Sequence, residues 1–243
     1  PAAAVPDPQR IRLCLEHGLP PFAADSLVRE DAWLAYLQGL LQHYQPPPQP
    51  AVENAVATLR EASVGQLKAW AIALVSGQFA LLPAALVPFL GAALQVAWSH
   101  WLLSTKDLTL KPGNSLNQCP ACGSPAMAGV IRHRGKYNGL RYLVCSLCAC
   151  EWHVVRVKCV YCEQSKGLQY VSLDSDRHAA DKAPLRAETC PGCHSYLKQL
   201  YLECDAEAEA LSADLSSLIL DMRLEQEGFV RPAPNLLLAP GGD

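Results

Sequence analysis

Four Cys-x-x-Cys pairs, at Cys119/Cys122, Cys145/Cys148, Cys159/Cys162 and Cys190/Cys193, constrain this chain more than anything else in it. Each pair turns two sulfurs to one side of a tight loop, which is half of a tetrahedral thiolate shell, and a second pair has to close it. Four pairs therefore make two shells. The intervals between successive pairs are 22, 10 and 27 residues. Pairing in chain order gives two ribbons joined by a short strand, one closed by Cys119, Cys122, Cys145 and Cys148, the other by Cys159, Cys162, Cys190 and Cys193. The long intervals exceed the usual ribbon spacing of about 15–20 residues, an excess that a hairpin or loop absorbs. An interleaved cross-brace, first pair with third and second with fourth, is the competing arrangement.

The total of 11 cysteines is odd and no secretory signal is visible, which argues against a disulfide framework. A thioredoxin-like redox motif would supply one such pair, not four in a row. Four thiolates restrict the metal to zinc or iron. Gly123 follows one pair and Gly192 sits inside another, where the backbone bends toward a metal. Cys150 reads as a small half-buried residue outside the shells, as do Cys14 and Cys204, which are read as lying on apolar helix stripes.

The residues ahead of Cys119 hold one cysteine and are patterned as helix, so a domain boundary is expected near Pro112. Trp33, Leu34, Leu37, Leu40, Leu41 and Tyr44 recur at helical spacing up to the Pro46–Pro50 run. Ala51 to Arg60 repeats the pattern. Ser63 with Gln66 has capping-box spacing for a helix through Leu74, and a further helix is expected from about Pro88 to Ser104. No charged residue occurs between Trp70 and Leu103. Gly77, Pro83, Pro88 and Gly91 interrupt that stretch and no basic cluster flanks it, so it reads as buried core helices of a soluble protein without a membrane span. The helical region closes in the turn-rich Lys111–Ser115 segment.

Beyond that turn, Gly139–Val144 and Trp152–Val157 read as strands bordering the metal knuckles. His153 reads as a surface or seam residue, since both shells are already full. Leu211, Leu215, Leu218 and Met222 form a helical stripe expected to dock on the core, with Gly228 as its C′ residue and an irregular tail after it. The expected division is 1–112 helical, 113–158 first four-cysteine module, 159–203 second four-cysteine module and 204–243 C-terminal helix and tail, an α+β multidomain chain. A net charge of −3 and a pI near 6.2 argue against nucleic-acid binding. Arg132, His133, Arg134, Lys136 and Arg141 gather between the first two knuckles, but they read as a solvated loop face. No nucleophile–base pair or phosphate loop stands out, so the chain is not expected to be an enzyme.

The strings Cys119-Pro120-Ala121-Cys122-Gly123-Ser124, Gly139-Leu140-Arg141-Tyr142-Leu143, Glu151-Trp152-His153-Val154-Val155-Arg156 after Cys148, and Tyr196-Leu197-Lys198 after Cys193 resemble the FdhE family of bacterial formate dehydrogenase accessory proteins. Asp214-Leu215 and Glu225-Gln226-Glu227-Gly228 extend the resemblance, which is close from Cys119 to Gly228. It implies a cytoplasmic, non-catalytic protein that contacts the catalytic subunit of respiratory formate dehydrogenase during its maturation. It also implies that the ribbons are rubredoxin-like and hold two metal ions, iron in preference to zinc, on the eight motif cysteines. These sites read as scaffold, with one-electron redox on the partner's active centre, and after it a nucleic-acid-binding double zinc ribbon, as the alternatives. Cys150 lies outside the family pattern. The family usually has more sequence ahead of the helical domain, and with Pro1 in place of Met the expectation is that residues precede this start. Oligomeric state is not implied.

Overall fold

The structure is a computed structural model that describes residues 6–111, 113, 115–133, 135–173 and 182–242. Pro112 and Asn114 of the expected turn, and Arg134 of the basic segment, lie outside the described residues. Six α-helices come first: α1 (Pro8–Glu16), α2 (Ala24–Leu27), α3 (Leu34–His43), α4 (Pro50–Glu61), α5 (Val64–Val75) and α6 (Val87–Ser104). Their limits follow from local chemistry. The Asp7 carboxylate accepts from the Gln9 amide at the start of α1, where Pro8 brings a φ already suited to a first helical turn. Ser63 caps α5 by accepting from the Gln66 amide at 3.2 Å, as its spacing predicts. The uncharged stretch splits between α5 and α6, with Gly77 turning at a φ of 71° between them. By length and composition Ala84–Ser104 could cross a membrane, yet half of that window is buried inside the protein.

The helices close around Phe22, Trp33, Leu37, Trp98 and Trp101, none of them exposed. The indole of Trp33 donates to the Val28 carbonyl at 3.0 Å and that of Trp98 to the Phe22 carbonyl at 2.9 Å, so two large apolar bodies are buried without stranding a donor.

The second half is one six-stranded sheet built from β1 (Ala126–Ile131), β2 (Arg141–Cys145), β3 (Glu151–Val154), β4 (Gln169–Val171), β5 (Leu185–Cys190) and β6 (Ser195–Tyr201). Its spatial order is β3-β2-β1-β6-β5-β4. Each trio is antiparallel, and the trios meet through a parallel pairing that sets Gly129 opposite Gln199 and Val130 opposite Leu200. Read across the sheet, the third, second and first strands of one trio are followed by the third, second and first of the next, a tandem repeat laid edge to edge. The two trios are therefore fused edge to edge through β1 and β6, and the short strand expected to join them is absent between Val154 and Cys159. The strand expected over Trp152–Val157 ends at Val154, and Val157 turns at a φ of 62°.

One face of the sheet carries Leu143, Cys145, Trp152, Val154 and Leu197 into the same apolar core as Trp33 and Trp98. The other face meets α7 (Ala210–Leu215) and α8 (Leu218–Gln226). The single stripe expected from Leu211 to Met222 is overturned: Ser216 and Ser217 break the helix, Leu218 and Met222 are exposed, and Leu220 and Leu224 dock instead. Lys198 on β6 explains the rotation. It is fully buried, and its Nζ lies 2.6 Å from Asp221 Oδ2, 3.0 Å from Asp214 Oδ1 and 2.9 Å from Ser217 Oγ. A buried cation demands anions, so both aspartates turn inward. Gly228 follows α8 at a φ of 85°, as expected of a C′ residue.

The prolines of the tail deny it regular structure, but they do not leave it loose. Val230 bridges to Ser195, and Arg231 pairs with Asp214 at 2.7 Å and donates to the Met127 carbonyl. Asn235 is fully buried, Leu236 and Ala239 enter the helical core, and Gly242 pairs with Pro83. The C-terminus is thus a strap across both halves of the sheet and onto α6.

Candidate metal centres

All four knuckles share one backbone design. In three of them the amide of the first cysteine donates to the carbonyl five residues on: Cys119 to Ser124 at 2.9 Å, Cys145 to Cys150 at 3.0 Å and Cys159 to Gln164 at 2.9 Å. In the fourth, Cys190 and Ser195 close the β5–β6 ladder at the same separation. The residue after each second cysteine lies in the left-handed region: Gly123 (78°), Ala149 (56°), Glu163 (63°) and His194 (53°). Only the first of these is glycine, so the Gly123 signal in the sequence had three counterparts that composition conceals. Gly192 answers to a different demand, since a β-carbon there would run into the Gln164 side chain.

The turns gather the sulfurs in chain order. Cys119, Cys122, Cys145 and Cys148 form one group and Cys159, Cys162, Cys190 and Cys193 the other, with the sulfurs of each group within 4.8 Å of one another. The cross-brace is excluded. Cys119 and Cys148 are 3.5 Å apart, Cys122 and Cys145 3.4 Å, Cys159 and Cys193 3.7 Å, and Cys162 and Cys190 3.6 Å. These distances are far too long for a disulfide. They approach the edge of about 3.8 Å that a tetrahedron of thiolates has around a zinc-sized ion. Either group could hold a metal ion.

In the first group backbone amides point at sulfur, Ala121 to Cys119 at 3.4 Å and Leu147 and Cys148 to Cys145 at 3.3 and 3.4 Å. Burial pushes the Cys119 thiol far up, and its three partners raise Cys148, while Cys122 is held low by those partners against its own burial. Cys119, Cys122 and Cys148 are thus pushed in opposite directions by one another and by burial, a conflict that a cation in their midst would resolve. In the second group burial raises the Cys193 thiol, but the hydroxyl and amide of Ser195, with Cys162 and Cys159, together outweigh it and bring the group to about 7. Cys14, Cys150 and Cys204 stay outside both groups and are half-buried. Cys204 lies in a turn after β6 and not on a helix.

Models of the FdhE N-terminal region, central domain and C-terminal domain match residues 1–113, 118–156 and 157–238 in turn. The chain belongs to the FdhE family. An FdhE homolog of Pseudomonas putida is 67% identical over 233 residues, which covers 96% of this chain and 73% of that protein. One from Pseudomonas aeruginosa is 63% identical over all 243 residues and 79% of its own length. The crystal structure of the FdhE protein from Pseudomonas aeruginosa superposes with a TM-score of 0.92 at 62% identity, covering 100% of this chain and 83% of that one. The α+β architecture is thus that of an FdhE fold.

Several charged residues take positions that no neighbouring residue in the sequence signals. Arg141, expected on a solvated basic face, is fully buried and reaches from β2 to β5, with Nη1 at 3.1 Å from Glu188 Oε1. Tyr170 donates to the same carboxylate at 2.9 Å. Arg132 is exposed but paired with Glu151, and Lys136 lies over the Tyr137 ring. The Lys198–Asp214–Asp221–Arg231 cluster left no local signal, because its members come from β6, two helices and the strap. His153 is exposed and edge-on to Tyr142, while Trp152 is buried and donates to the Leu116 carbonyl at 2.9 Å.

Proposed function

We propose that this FdhE-family chain is a formate dehydrogenase accessory protein that binds the catalytic subunit of that enzyme during its maturation, on a surface held in shape by two metal ions. Membership of the family supports the accessory role. One observation carries the scaffold: Cys119, Cys122, Cys145 and Cys148 belong to the same apolar core as Phe22, Trp33 and Trp98. The first knuckle is bonded directly to the helices, since the Phe22 and Ala24 amides donate to the Ala121 and Cys122 carbonyls at 2.8 and 2.9 Å. Gln95 of α6 donates to the Ser146 carbonyl of the second knuckle at 2.9 Å. Metal bound there shapes the helical half as well as the sheet, because binding energy at such a site is folding energy.

In this reading the eight cysteines are the ligands, the metal is iron in preference to zinc, the fold at each site is rubredoxin-like, and the protein works by binding, in the cytoplasm. The burial of Arg141 against Glu188 removes one cation from any surface that nucleic acid could reach, which supports a protein partner. The test is to isolate the tagged chain from its native cells under formate-respiring conditions and analyse both protein and metal. The catalytic subunit and two metal ions per chain should come with it. Absence of the subunit would remove the accessory role, and absence of metal would remove the scaffold.

A further inference from the structure

The shared knuckle design hides a difference between the two groups of sulfurs. In the first, no cysteine is more than 2% exposed, and Ala121 and Leu147 between them are equally covered. In the second, Cys159 and Cys190 are buried while Cys162 and Cys193, one from each knuckle, stand exposed. Their neighbours Glu163, Gln164, Pro191, Gly192 and His194 are exposed too. The centres also differ at the position five residues past the knuckle's first cysteine. In the first centre's second knuckle it is Cys150. In the second centre's second knuckle it is Ser195, buried, with its Oγ at 2.9 Å from Cys193 Sγ and 3.8 Å from Cys159 Sγ.

We infer that the centres divide their labour: the first is locked, and the second exchanges its metal ion with solution through the Cys162/Cys193 edge, opening at Cys193. The inference rests on the reading above that both groups bind metal. In the exchange step an incoming donor, such as a chelator nitrogen or the thiolate of a small thiol, bonds to the metal as the bond to Cys193 Sγ breaks. The metal keeps its valence, and the freed thiolate takes a proton from water. Ser195 assists as a positioning residue. A metal-bound thiolate has no proton to give, so the hydroxyl donates to it. That hydrogen bond draws charge from the sulfur, loosens its hold on the metal and stabilises the thiolate as it departs. No incoming donor reaches the first centre in this way, because the helical core covers it.

The zinc-loaded full chain, mixed with excess pyridylazoresorcinol, reports released zinc by colour, while N-ethylmaleimide traps freed thiols for peptide mapping. Two phases of equal size should appear, differing in rate by about tenfold or more. Cys162 and Cys193 should be labelled in the fast phase, ahead of Cys119, Cys122, Cys145 and Cys148. Ser195→Ala should slow the fast phase and leave the slow one alone, whereas a merely structural hydroxyl would, on removal, loosen the site and speed release. A single phase, or early labelling of the first group, overturns the division. A fast phase unchanged or quickened in Ser195→Ala overturns the part given to the hydroxyl. A chain that binds no zinc overturns the metal reading itself.

Discussion

The carbonyl oxygen of Leu236, in the C-terminal strap, lies 2.5 Å from the point where a β-carbon on Gly91 of α6 would stand. Gly91→Ala therefore forces the strap off the helix. A loss of about 1–3 kcal/mol is expected, the usual cost of overpacking a closed contact. Gly39 in α3 is the control, because a β-carbon there meets nothing. Gly39→Ala should stabilise by about 0.5–1 kcal/mol. Urea midpoints of the two variants should move in opposite directions, and a common direction would show that the strap does not bear on α6.

Lys198 anchors α7 and α8 to the sheet through charge. The Asp214 carboxylate meets Lys198 and Arg231 as ion pairs and not as aligned hydrogen bonds, so its stabilisation depends on both cations being present. Lys198→Met should cost about 3–5 kcal/mol, the penalty for leaving a buried charge without its partner. Arg132→Ala, which breaks the exposed pair with Glu151, should cost no more than about 1 kcal/mol. Chemical unfolding of the two variants checks the contrast.

Metal removal should reach the helices. With the first group inside the helical core, Cys119→Ser should lower both the bound metal and the melting midpoint of the helical circular dichroism signal. Cys162→Ser, at the exposed edge of the second group, should lower bound metal with a smaller loss in melting. Acid acts on the same balance, since a thiolate that takes up a proton leaves the shell. Metal retained on dialysis at about pH 7.5 should be lost at about pH 5, and metal analysis of the dialysed protein would show it. Equal losses in the two variants would argue that the first group bears on the helices no more than the second, and unchanged melting in both that neither does.

Glu209 caps α7, its carboxylate accepting from the Leu211 and Ser212 amides at 2.8 and 2.9 Å. Burial raises its pKa, but those amides and the Ser212 hydroxyl outweigh it and hold the group below the usual value. Glu209→Ala should cost about 1 kcal/mol at neutral pH. The sign follows from the lowered pKa: the cap contributes fully above the unfolded carboxyl value and is lost as pH falls through the folded one. Urea midpoints of wild type and variant should therefore differ at about pH 7 and converge by about pH 3. A gap independent of pH would mean that the charge is irrelevant.

How much of this was legible in the sequence depended on range. Ser63 with Gln66 and the Pro46–Pro50 break act within a few residues, and the helices they bound stand where expected, while Gly228 ends α8 as a C′ residue. The eight cysteines declared themselves by spacing, and they gather in chain order because β1 with β2, and β4 with β5, pair antiparallel and bring the flanking knuckles together. The docking face of α8 was not legible. Leu218 and Met222 keep a helical period, but Asp214 and Asp221 are turned inward by Lys198, a residue on a strand far back along the chain. Arg141 misled for the same reason, since nothing near it in sequence announces Glu188. The left-handed residues Ala149, Glu163 and His194 were invisible because side-chain type does not mark them, and only their place after a metal knuckle does.

The parallel pairing of β1 with β6 also sets the order in which the protein can be completed on the ribosome. β1 emerges first, and residues 132–194 must follow before its partner exists. Until then Ala126–Ile131, free of charge and buried throughout in the finished sheet, is an unclaimed edge on the nascent chain. Such an edge recruits any extended neighbour. A chain interrupted between the two strands would therefore carry this edge without the partner that covers it in the finished sheet.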